Sequence, residues 1–150
     1  MMHMHHDDLP PSCACTALRK ASRTVTRLYD ERLAGDGITT TQFAILRTLL
    51  RSGDMPLSRL AETLAMDRTS LYRTLAPIER AGWIAIAAGN GRSRVAALTD
   101  AGRAEIAKAE PAWREAQARI LTIMGEEQWA QLLAMLDQLA KAERSGEQKA

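Results

Sequence analysis

The feature that most constrains the fold is a change in the spacing of apolar residues at Gly82. Before Gly82, apolar residues recur at the three- and four-residue intervals of a helix. They form two sets: Leu57, Leu60, Ala61 and Leu64, then Leu71, Leu75 and Ile78. After Gly82, the short runs 83–86 and 95–98 are strand-like and flank an Asn90-Gly91 turn signal. The sequence therefore predicts a short helix, a tight turn, a second helix and a β-hairpin.

Helical spacing elsewhere predicts a fold that is mainly α with this small β-hairpin. The further helices are expected over about 13–34 with Ser12 as cap, from 39–41 to about Ser52, from Thr99 to about Met124, and from Gly125 to a polar tail at about Lys141. At 150 residues the chain fits a single domain, residues 12–144, between a disordered tail at 1–11 and a short tail at 145–150.

The helix that precedes the hairpin carries two local signals. Asp67 is the expected N-cap, because an aspartate side chain accepts hydrogen bonds from the first free amide groups of a helix. Pro77 lies ten residues further on and is expected to bend the helix, because proline removes one internal hydrogen bond.

Several classes of protein do not fit the sequence. No run of about 18 apolar residues occurs, as a membrane span needs, and the start lacks a signal peptide's apolar stretch, so we expect a cytoplasmic protein. No HExxH, phosphate loop or GxSxG motif is present, and the histidines lie in the tail at His3, His5 and His6. We therefore expect no enzyme and no cofactor. The tail start, Met1-Met2-His3, could chelate Cu(II) or Ni(II), but such tails are often incidental and no metal site is predicted.

The second helix of the pair has a polar side suited to reading DNA. A helix–turn–helix places its second helix in the major groove, with the N-terminal residues against the base edges. With the apolar side turned to the core, the opposite side presents Arg68, Thr69, Ser70, Tyr72, Arg73 and Thr74. Arginine can pair with guanine or phosphate, and hydroxyls can contact bases or phosphate oxygens. These six residues are the predicted base-reading surface.

The local charge supports this interpretation. The whole chain has a net charge of only +2, whereas residues 66–94 contain five arginines against Asp67 and Glu79. Two of the arginines, Arg92 and Arg94, lie on the hairpin loop, which suggests a wing that reaches phosphate or the minor groove. An arginine-rich surface can also be merely solvated, and a winged-helix module that binds proteins rather than DNA is the alternative function.

The order of these elements resembles the multiple-antibiotic-resistance regulator (MarR) family of winged helix–turn–helix regulators. The resemblance rests on LSRLAETLAMDRTSLYRTLAPIERAGWI, then NGRSRVAALTDAG, and covers about residues 13–140. It implies a homodimer, with dimerisation helices at 12–34 and 100–144 and a DNA-binding lobe at 39–98. It further implies a pseudo-palindromic operator and a repressor released by a small phenolic or apolar effector. Independently, the terminal helices carry more apolar residues than one small core needs: Val25, Leu28, Ile120, Ile123, Trp129, Leu132, Leu133 and Leu136.

The hairpin departs from the family pattern at one position. Wings of the MarR family often carry Asp-x-Arg, in which the acid braces the arginine. Here the equivalent positions are Asn90 and Arg92, so the brace is neutral and we expect a looser wing.

The run CACTALRKASRTVTRLYDERLAGDGITTTQF resembles the first helix of the organic-hydroperoxide-sensing branch of the family. In that branch an early cysteine is reactive and tyrosines orient it. Cys15 and Tyr29 match, whereas Arg19 and Thr40 stand where tyrosines are expected. Arg19 could still stabilise a Cys15 thiolate four residues away, aided by the helix N-terminus. Cys13 could pair with Cys15 only if the helix begins after Cys13. The alternative is that Cys15 is a small buried apolar residue.

Overall fold

The computed structural model describes residues 13–147, with side chains up to residue 142. The predicted N-terminal tail and the Ser12 cap therefore lie outside the described residues. So do residues 148–150 of the predicted C-terminal tail.

Six α-helices and three short strands make up the described part of the chain. In chain order they are α1 (Ala14–Leu33), α2 (Thr40–Ser52), β1 (Met55–Pro56), α3 (Leu57–Thr63), α4 (Arg68–Arg80), β2 (Ile84–Ala88), β3 (Arg94–Leu98), α5 (Asp100–Met124) and α6 (Glu126–Glu147). The predicted helices and the predicted hairpin are all present. The last helix runs further than predicted, because the alanine, glutamate and arginine residues that follow Lys141 are good helix formers.

The sheet has three strands, in the order β1-β3-β2, where a two-stranded hairpin was predicted. The additional strand pairs Met55 with Ala96 and Pro56 with Val95. Pro56 is the residue that precedes α3, where the sequence suggested only a helix start. A proline is tolerated here because β1 is an edge strand, so its missing N–H can face away from the ladder. The strand ties the start of α3 to the wing.

Side-chain caps fix where the helices begin. The Thr39 hydroxyl accepts from Gln42 N–H, and the Gln42 side chain accepts from Thr39 N–H, which completes a capping box at α2. Thr99 caps α5 by accepting from Gly102 N–H at 3.0 Å. The same Thr99 hydroxyl donates to the Gly82 carbonyl at 2.6 Å, and Thr99 N–H donates to the Trp83 carbonyl at 3.1 Å. The start of α5 is thus tied to the chain segment that joins α4 to β2.

A close backbone contact strengthens this junction. A Cβ added to Gly102 would stand 2.1 Å from the Trp83 carbonyl oxygen and 2.7 Å from Leu98 Cδ1. Only glycine allows α5 to approach β2 so closely. The start of α5 is therefore packed directly against the segment that leads into the wing.

The core lies between α2, α4, α5 and the sheet. Its largest fully buried side chains are Leu33, Phe43, Ile45, Leu46, Leu60, Leu71, Leu75 and Ile78. The predicted inner side of α4 is thus confirmed. The helix runs through Pro77 without a break, and Ala81 N–H still bonds to the Pro77 carbonyl at 2.9 Å. All six predicted base-reading residues precede this proline.

Helix α1 packs along α5. Within one protomer, the terminal helices still expose part of their apolar surface. Exposed large apolar side chains of α1, α5 and α6 are Leu18, Val25, Ile123, Leu133, Met135, Leu136 and Leu139. Ile120, which was counted with the surplus apolar residues, is instead buried in the protomer.

Candidate nucleic-acid interface

The link between α3 and α4 is short and well defined. It spans residues 64–67, and Ala65 adopts a left-handed backbone with φ of 51°. Asp67 Oδ1 accepts from Ser70 N–H at 2.8 Å, and Asp67 Oδ2 accepts from the Ser70 hydroxyl at 2.9 Å. The Ser70 N–H, followed by its hydroxyl, holds the pKa of the Asp67 carboxyl below its ordinary value. The predicted cap is confirmed, and it sets the direction in which α4 leaves the turn.

The predicted polar side of α4 points away from the core. Arg68, Thr69, Ser70 and Arg73 are exposed, and Tyr72 is 47% exposed. Thr74 is only half-buried, and its hydroxyl donates to the Ser70 carbonyl at 2.9 Å. On α4, the side chains most accessible to a binding partner are therefore those of Arg68, Thr69, Tyr72 and Arg73.

A groove of about 330 Å³ separates the first turns of α3 and α4 from the wing. Its lining brings together three predicted cations, Arg68, Arg92 and Arg94, with the predicted Tyr72. The other predicted residues of α4 do not line it: Thr69, Ser70 and Arg73 are exposed elsewhere on the helix, and Thr74 is half-buried. Helix N-terminus, wing and arginines thus converge on one concave surface.

Two serines in this groove were not predicted. Ser93 lies between the wing arginines, and Ser58 lies in the first turn of α3. The GRSR sequence was a usable signal for Ser93, because a hydroxyl between two arginines is suited to phosphate. No local pattern marks Ser58, since it reaches the groove only through the pairing of β1 with β3.

The wing turn is held by Ser93 rather than by an acid. Ser93 N–H donates to the Asn90 carbonyl at 3.2 Å, and the Ser93 hydroxyl donates to the same oxygen at 2.7 Å. Gly89 N–H closes the loop on the Ser93 carbonyl at 2.9 Å, and Gly91 takes a left-handed φ of 64°. These hydrogen bonds close the wing turn without an acidic side chain, and the expectation of a looser wing stays a prediction. None of them involves the Arg92 side chain, which is exposed at the tip.

The arginines of this surface make no ion pair with any residue that the structure describes. Among the described residues, ion pairs are made by Lys108, Arg114 and Lys141, all on α5 or α6. Arg68, Arg73, Arg92 and Arg94 make none within that part of the chain. Their charge is available to an anionic partner such as the phosphate backbone.

The two cysteines lie at the start of the described part of the chain, and both are exposed within the protomer. The alternative of a buried Cys15 is therefore wrong for a single protomer. The helix begins at Ala14, so Cys13 is the residue just before it, which is the condition for pairing with Cys15. Cys13 makes no capping hydrogen bond, yet the N–H and hydroxyl of Thr16 keep the pKa of its thiol below the ordinary value.

The other residues of the predicted sensing site are not assembled in one protomer. Arg19 is exposed on α1, one turn beyond Cys15. Tyr29 lies fourteen residues beyond Cys15 on the same helix, about 21 Å at 1.5 Å per residue. Its hydroxyl donates to Gln117 Oε1 of α5, and burial raises the pKa of the phenol. Tyr29 therefore joins α1 to α5 and does not touch the cysteines of its own chain.

Neither a membrane span nor a metal cluster is found in the described part of the chain. No helix there is both long and apolar enough to cross a bilayer. No three histidine, cysteine, aspartate or glutamate side chains are grouped there to hold a metal ion. His3, His5 and His6 lie outside the described residues.

Comparison with known proteins identifies the group to which this arrangement belongs. The model of the MarR family matches residues 38–86. The HTH-type transcriptional repressor Rv2887 of Mycobacterium tuberculosis is 33% identical over 105 residues, which are 69% of this chain and 76% of that protein. This chain belongs to the MarR family. As a MarR-family protein it is a DNA-binding regulator of transcription, as predicted, and its relatives are regulators rather than enzymes.

Solved structures confirm the MarR-type winged-helix fold. The M. tuberculosis regulator MosR, in complex with DNA, is 33% identical and superposes with a TM-score of 0.80, covering 89% of this chain and 98% of MosR. The repressor CouR, bound to p-coumaroyl-CoA, is 25% identical with a TM-score of 0.76, covering 86% of this chain and 92% of CouR.

Proposed function

We propose that this MarR-family chain acts as a homodimeric repressor that reads a pseudo-palindromic operator with α4 and grips the flanking backbone with its wing. The observation that carries the proposal is the groove lined by Arg68, Arg92 and Arg94, none of which forms an ion pair with another described residue. MosR supports it, because its structure in complex with DNA covers 89% of this chain.

The residues divide into two roles. On the exposed face of α4, Thr69, Tyr72 and Arg73 are available to base edges in the major groove, with Ser70 and Thr74 beside them. Arg68 stands at the first turn of α4, where amide groups and the helix dipole also favour phosphate. Arg92 and Arg94, with the Ser58 and Ser93 hydroxyls, suit phosphate or the minor groove.

Dimerisation is supported by the apolar surface of the terminal helices. Leu18 and Val25 on α1, and Leu133, Leu136 and Leu139 on α6, are exposed in the protomer. Their burial against a second copy would remove apolar area from water, the main driving force of association. We propose residues 12–34 and 100–144 as the dimerisation region and 39–98 as the DNA-binding lobe. Two α4 helices would then reach half-sites about 34–36 Å apart.

The repressor is proposed to respond to an effector, either a small organic ligand or an oxidant. For an oxidant, Cys15 in the first turn of α1, with Arg19 one turn further on, is proposed as the attacking thiolate, and Cys13 just before the helix as the resolving thiol. The Cys15 thiolate is oxidised to a sulfenic acid by a hydroperoxide, which is reduced to its alcohol. Attack by the Cys13 thiol then forms the disulfide and releases water. Cys13 lies outside the helix, which is the condition that this bond requires.

One experiment tests the core of the proposal. Binding sites are selected from random duplexes, and the affinity of the purified protein for the selected site is measured by fluorescence anisotropy at several salt concentrations. We expect inverted half-sites about one helical turn apart and an affinity that falls steeply with salt, since phosphate contacts release counterions. A failure to enrich any sequence, or a salt-independent affinity, would favour the protein-interaction module instead.

A further inference from the structure

The tip of the wing carries an asparagine followed directly by a glycine, Asn90-Gly91, and both residues are exposed. The amide carbon of an asparagine side chain can be attacked by the main-chain nitrogen of the next residue. Glycine favours this attack, because it has no Cβ beside the nitrogen. Asn90 is also the only asparagine in the sequence, so a chemical change of an asparagine can be assigned to this position.

The Gly91 main-chain nitrogen is free to react. Its N–H donates a hydrogen bond to no acceptor among the described residues. The side-chain amide of Asn90 likewise makes no hydrogen bond within that part of the chain. Gly91 has a left-handed φ of 64°, and a Cβ added to it would meet nothing within 4 Å. The space around the two reacting groups is therefore open.

The hydrogen bonds of the turn assist the loss of the Gly91 amide proton. The Asn90 carbonyl and the Gly91 N–H belong to one peptide group. The Ser93 hydroxyl and N–H both donate to that carbonyl oxygen, at 2.7 Å and 3.2 Å. Donors in this position stabilise the negative charge that moves onto the oxygen when the nitrogen loses its proton. The positive charge of Arg92, which makes no ion pair with a described residue, lies on the next residue.

The segment Asp36-Gly37 provides an internal comparison. It also joins a side-chain carbonyl carbon to a glycine, and Gly37 has a left-handed φ of 71°. Here, however, the Gly37 N–H donates to the Ala34 carbonyl at 3.1 Å. The nitrogen that would attack is thus held by a hydrogen bond, whereas the Gly91 nitrogen is not.

We propose that Asn90 is a site of spontaneous deamidation and that its isoaspartyl product disables the wing. The Gly91 nitrogen forms a bond to Cγ of Asn90, the bond from Cγ to the side-chain nitrogen breaks, and ammonia leaves with the Gly91 proton. Water then opens the five-membered succinimide by breaking one of its two C–N bonds, which gives aspartate or isoaspartate. One water is consumed, one ammonia is released, and nothing is oxidised or reduced.

The two products differ in the main chain. Both place one negative charge two residues before Arg92, on the surface proposed to contact phosphate. In isoaspartate the main chain runs through Cβ and Cγ and gains one carbon. The oxygen that accepts from Ser93 then belongs to a free carboxylate and no longer to the turn. The effect on DNA binding rests on the proposed function, whereas the modification itself does not.

The chemical step is tested on the whole wild-type protein, kept at physiological temperature and mildly alkaline pH. The mass of the tryptic peptide 81–92 is followed over time, and isoaspartate is counted by methyl transfer from S-adenosylmethionine with an isoaspartyl methyltransferase. We expect this peptide to gain the mass difference between NH2 and OH and to accept methyl groups on the same time course. An unchanged peptide, after a period in which a free peptide of the same sequence converts fully, would overturn the proposal. Methyl acceptance confined to the peptide that contains Asp36-Gly37 would also overturn it.

Variants then connect the modification to DNA binding. Asn90→Gln is the matched control, because its amide lies one methylene further away and would need a six-membered ring. It should keep its mass and its affinity through the same incubation. Fully converted wild type is expected to bind all duplexes about tenfold more weakly than fresh protein, the loss of one charge-assisted hydrogen bond to phosphate. Fresh Asn90→Asp, which adds the charge without lengthening the main chain, should lose less.

Two outcomes would overturn the effect on the wing. Converted wild type could bind as tightly as fresh protein, or incubated Asn90→Gln could lose as much affinity as the wild type. Failure of the fresh wild type to bind any duplex would instead contradict only the proposed function, because the mass and the methyl acceptance still decide whether Asn90 is modified.

Discussion

Arg73 is the residue on which base recognition should depend most strongly. It is exposed on α4, precedes Pro77 and does not line the groove beside the wing. We expect Arg73→Ala to weaken binding to the selected operator by about 1–3 kcal/mol while changing affinity for unrelated duplexes much less. Competition anisotropy with both duplexes measures the difference. Arg80→Ala, an exposed arginine at the end of the same helix, is the control and should leave the preference for the operator intact.

Arg92 should behave differently, because it stands at the tip of the wing. A phosphate contact carries no base information, so Arg92→Ala is expected to weaken all duplexes about equally. The slope of log affinity against log salt should fall by about one. The same anisotropy titrations, repeated at several salt concentrations, give both quantities. A loss confined to the operator would assign Arg92 to base reading instead.

Thr16 should control the reactivity of Cys13. Its N–H and then its hydroxyl lower the pKa of the thiol, so the Cys13 thiolate is present at lower pH than an ordinary cysteine thiolate. Thr16→Val removes the hydroxyl only, and we expect the pKa of Cys13 to rise. The pH dependence of alkylation by iodoacetamide, measured in a Cys15→Ser background, reports this pKa. An unchanged pH profile would show that the hydroxyl plays no part.

The arginines of the groove could be predicted from the sequence, but not all of the residues that lie beside them. The arginines of α4 can be assigned to its solvent-exposed side from the helical spacing of the apolar residues alone. Ser58 could not be found in this way, since its distance from the wing is set by the pairing of two strands far apart in the chain. The stacking of the Arg47 guanidinium on the Trp113 ring, 4.2 Å from its centre, could not be predicted for the same reason, because the two residues lie on different helices.

Among the elements, the junction of α5 with the wing is the most sensitive to a small change. Gly102→Ala would place a methyl group 2.1 Å from the Trp83 carbonyl oxygen, so α5 or β2 must shift. We expect a loss of about 1–3 kcal/mol in the free energy of unfolding, as for other overpacked sites. Urea denaturation measures it. Gly35→Ala, where an added Cβ meets nothing within 4 Å, is the control and should unfold as wild type does.

Helix starts were predictable because each has a local cause. Asp67 and Thr99 cap helices through side chains within three residues of the bonded amide. Strand β1 could not be predicted, because two residues are too few to show a period. Their pairing partners, Ala96 and Val95, also lie far along the chain. The end of α6 predicted from the sequence is too early, because a polar composition is typical of a tail but also occurs on the solvent side of a helix.

For the whole molecule, the decisive property is association. Leu133 is 47% exposed on α6 in the protomer. We expect the wild type to sediment at twice the 16.5 kDa chain mass and Leu133→Glu to shift toward the monomer, since a buried unpaired charge opposes association. Operator affinity should fall with it. Leu50→Glu, an exposed leucine of α2 outside this surface, is the control. A wild type that stays monomeric at micromolar concentration would contradict the proposed dimer.

The bonds between Thr99, Gly82 and Trp83 have a mechanical consequence. They join the start of α5 to the segment between α4 and β2, so we expect a tilt of α5 to move α4 and the wing together. An effector acting at the terminal helices would then leave each DNA-binding lobe intact and change the distance between the two lobes of the dimer. The protein would leave its operator because the two α4 helices no longer match the spacing of the half-sites. A duplex with altered spacing between its half-sites should restore the lost affinity.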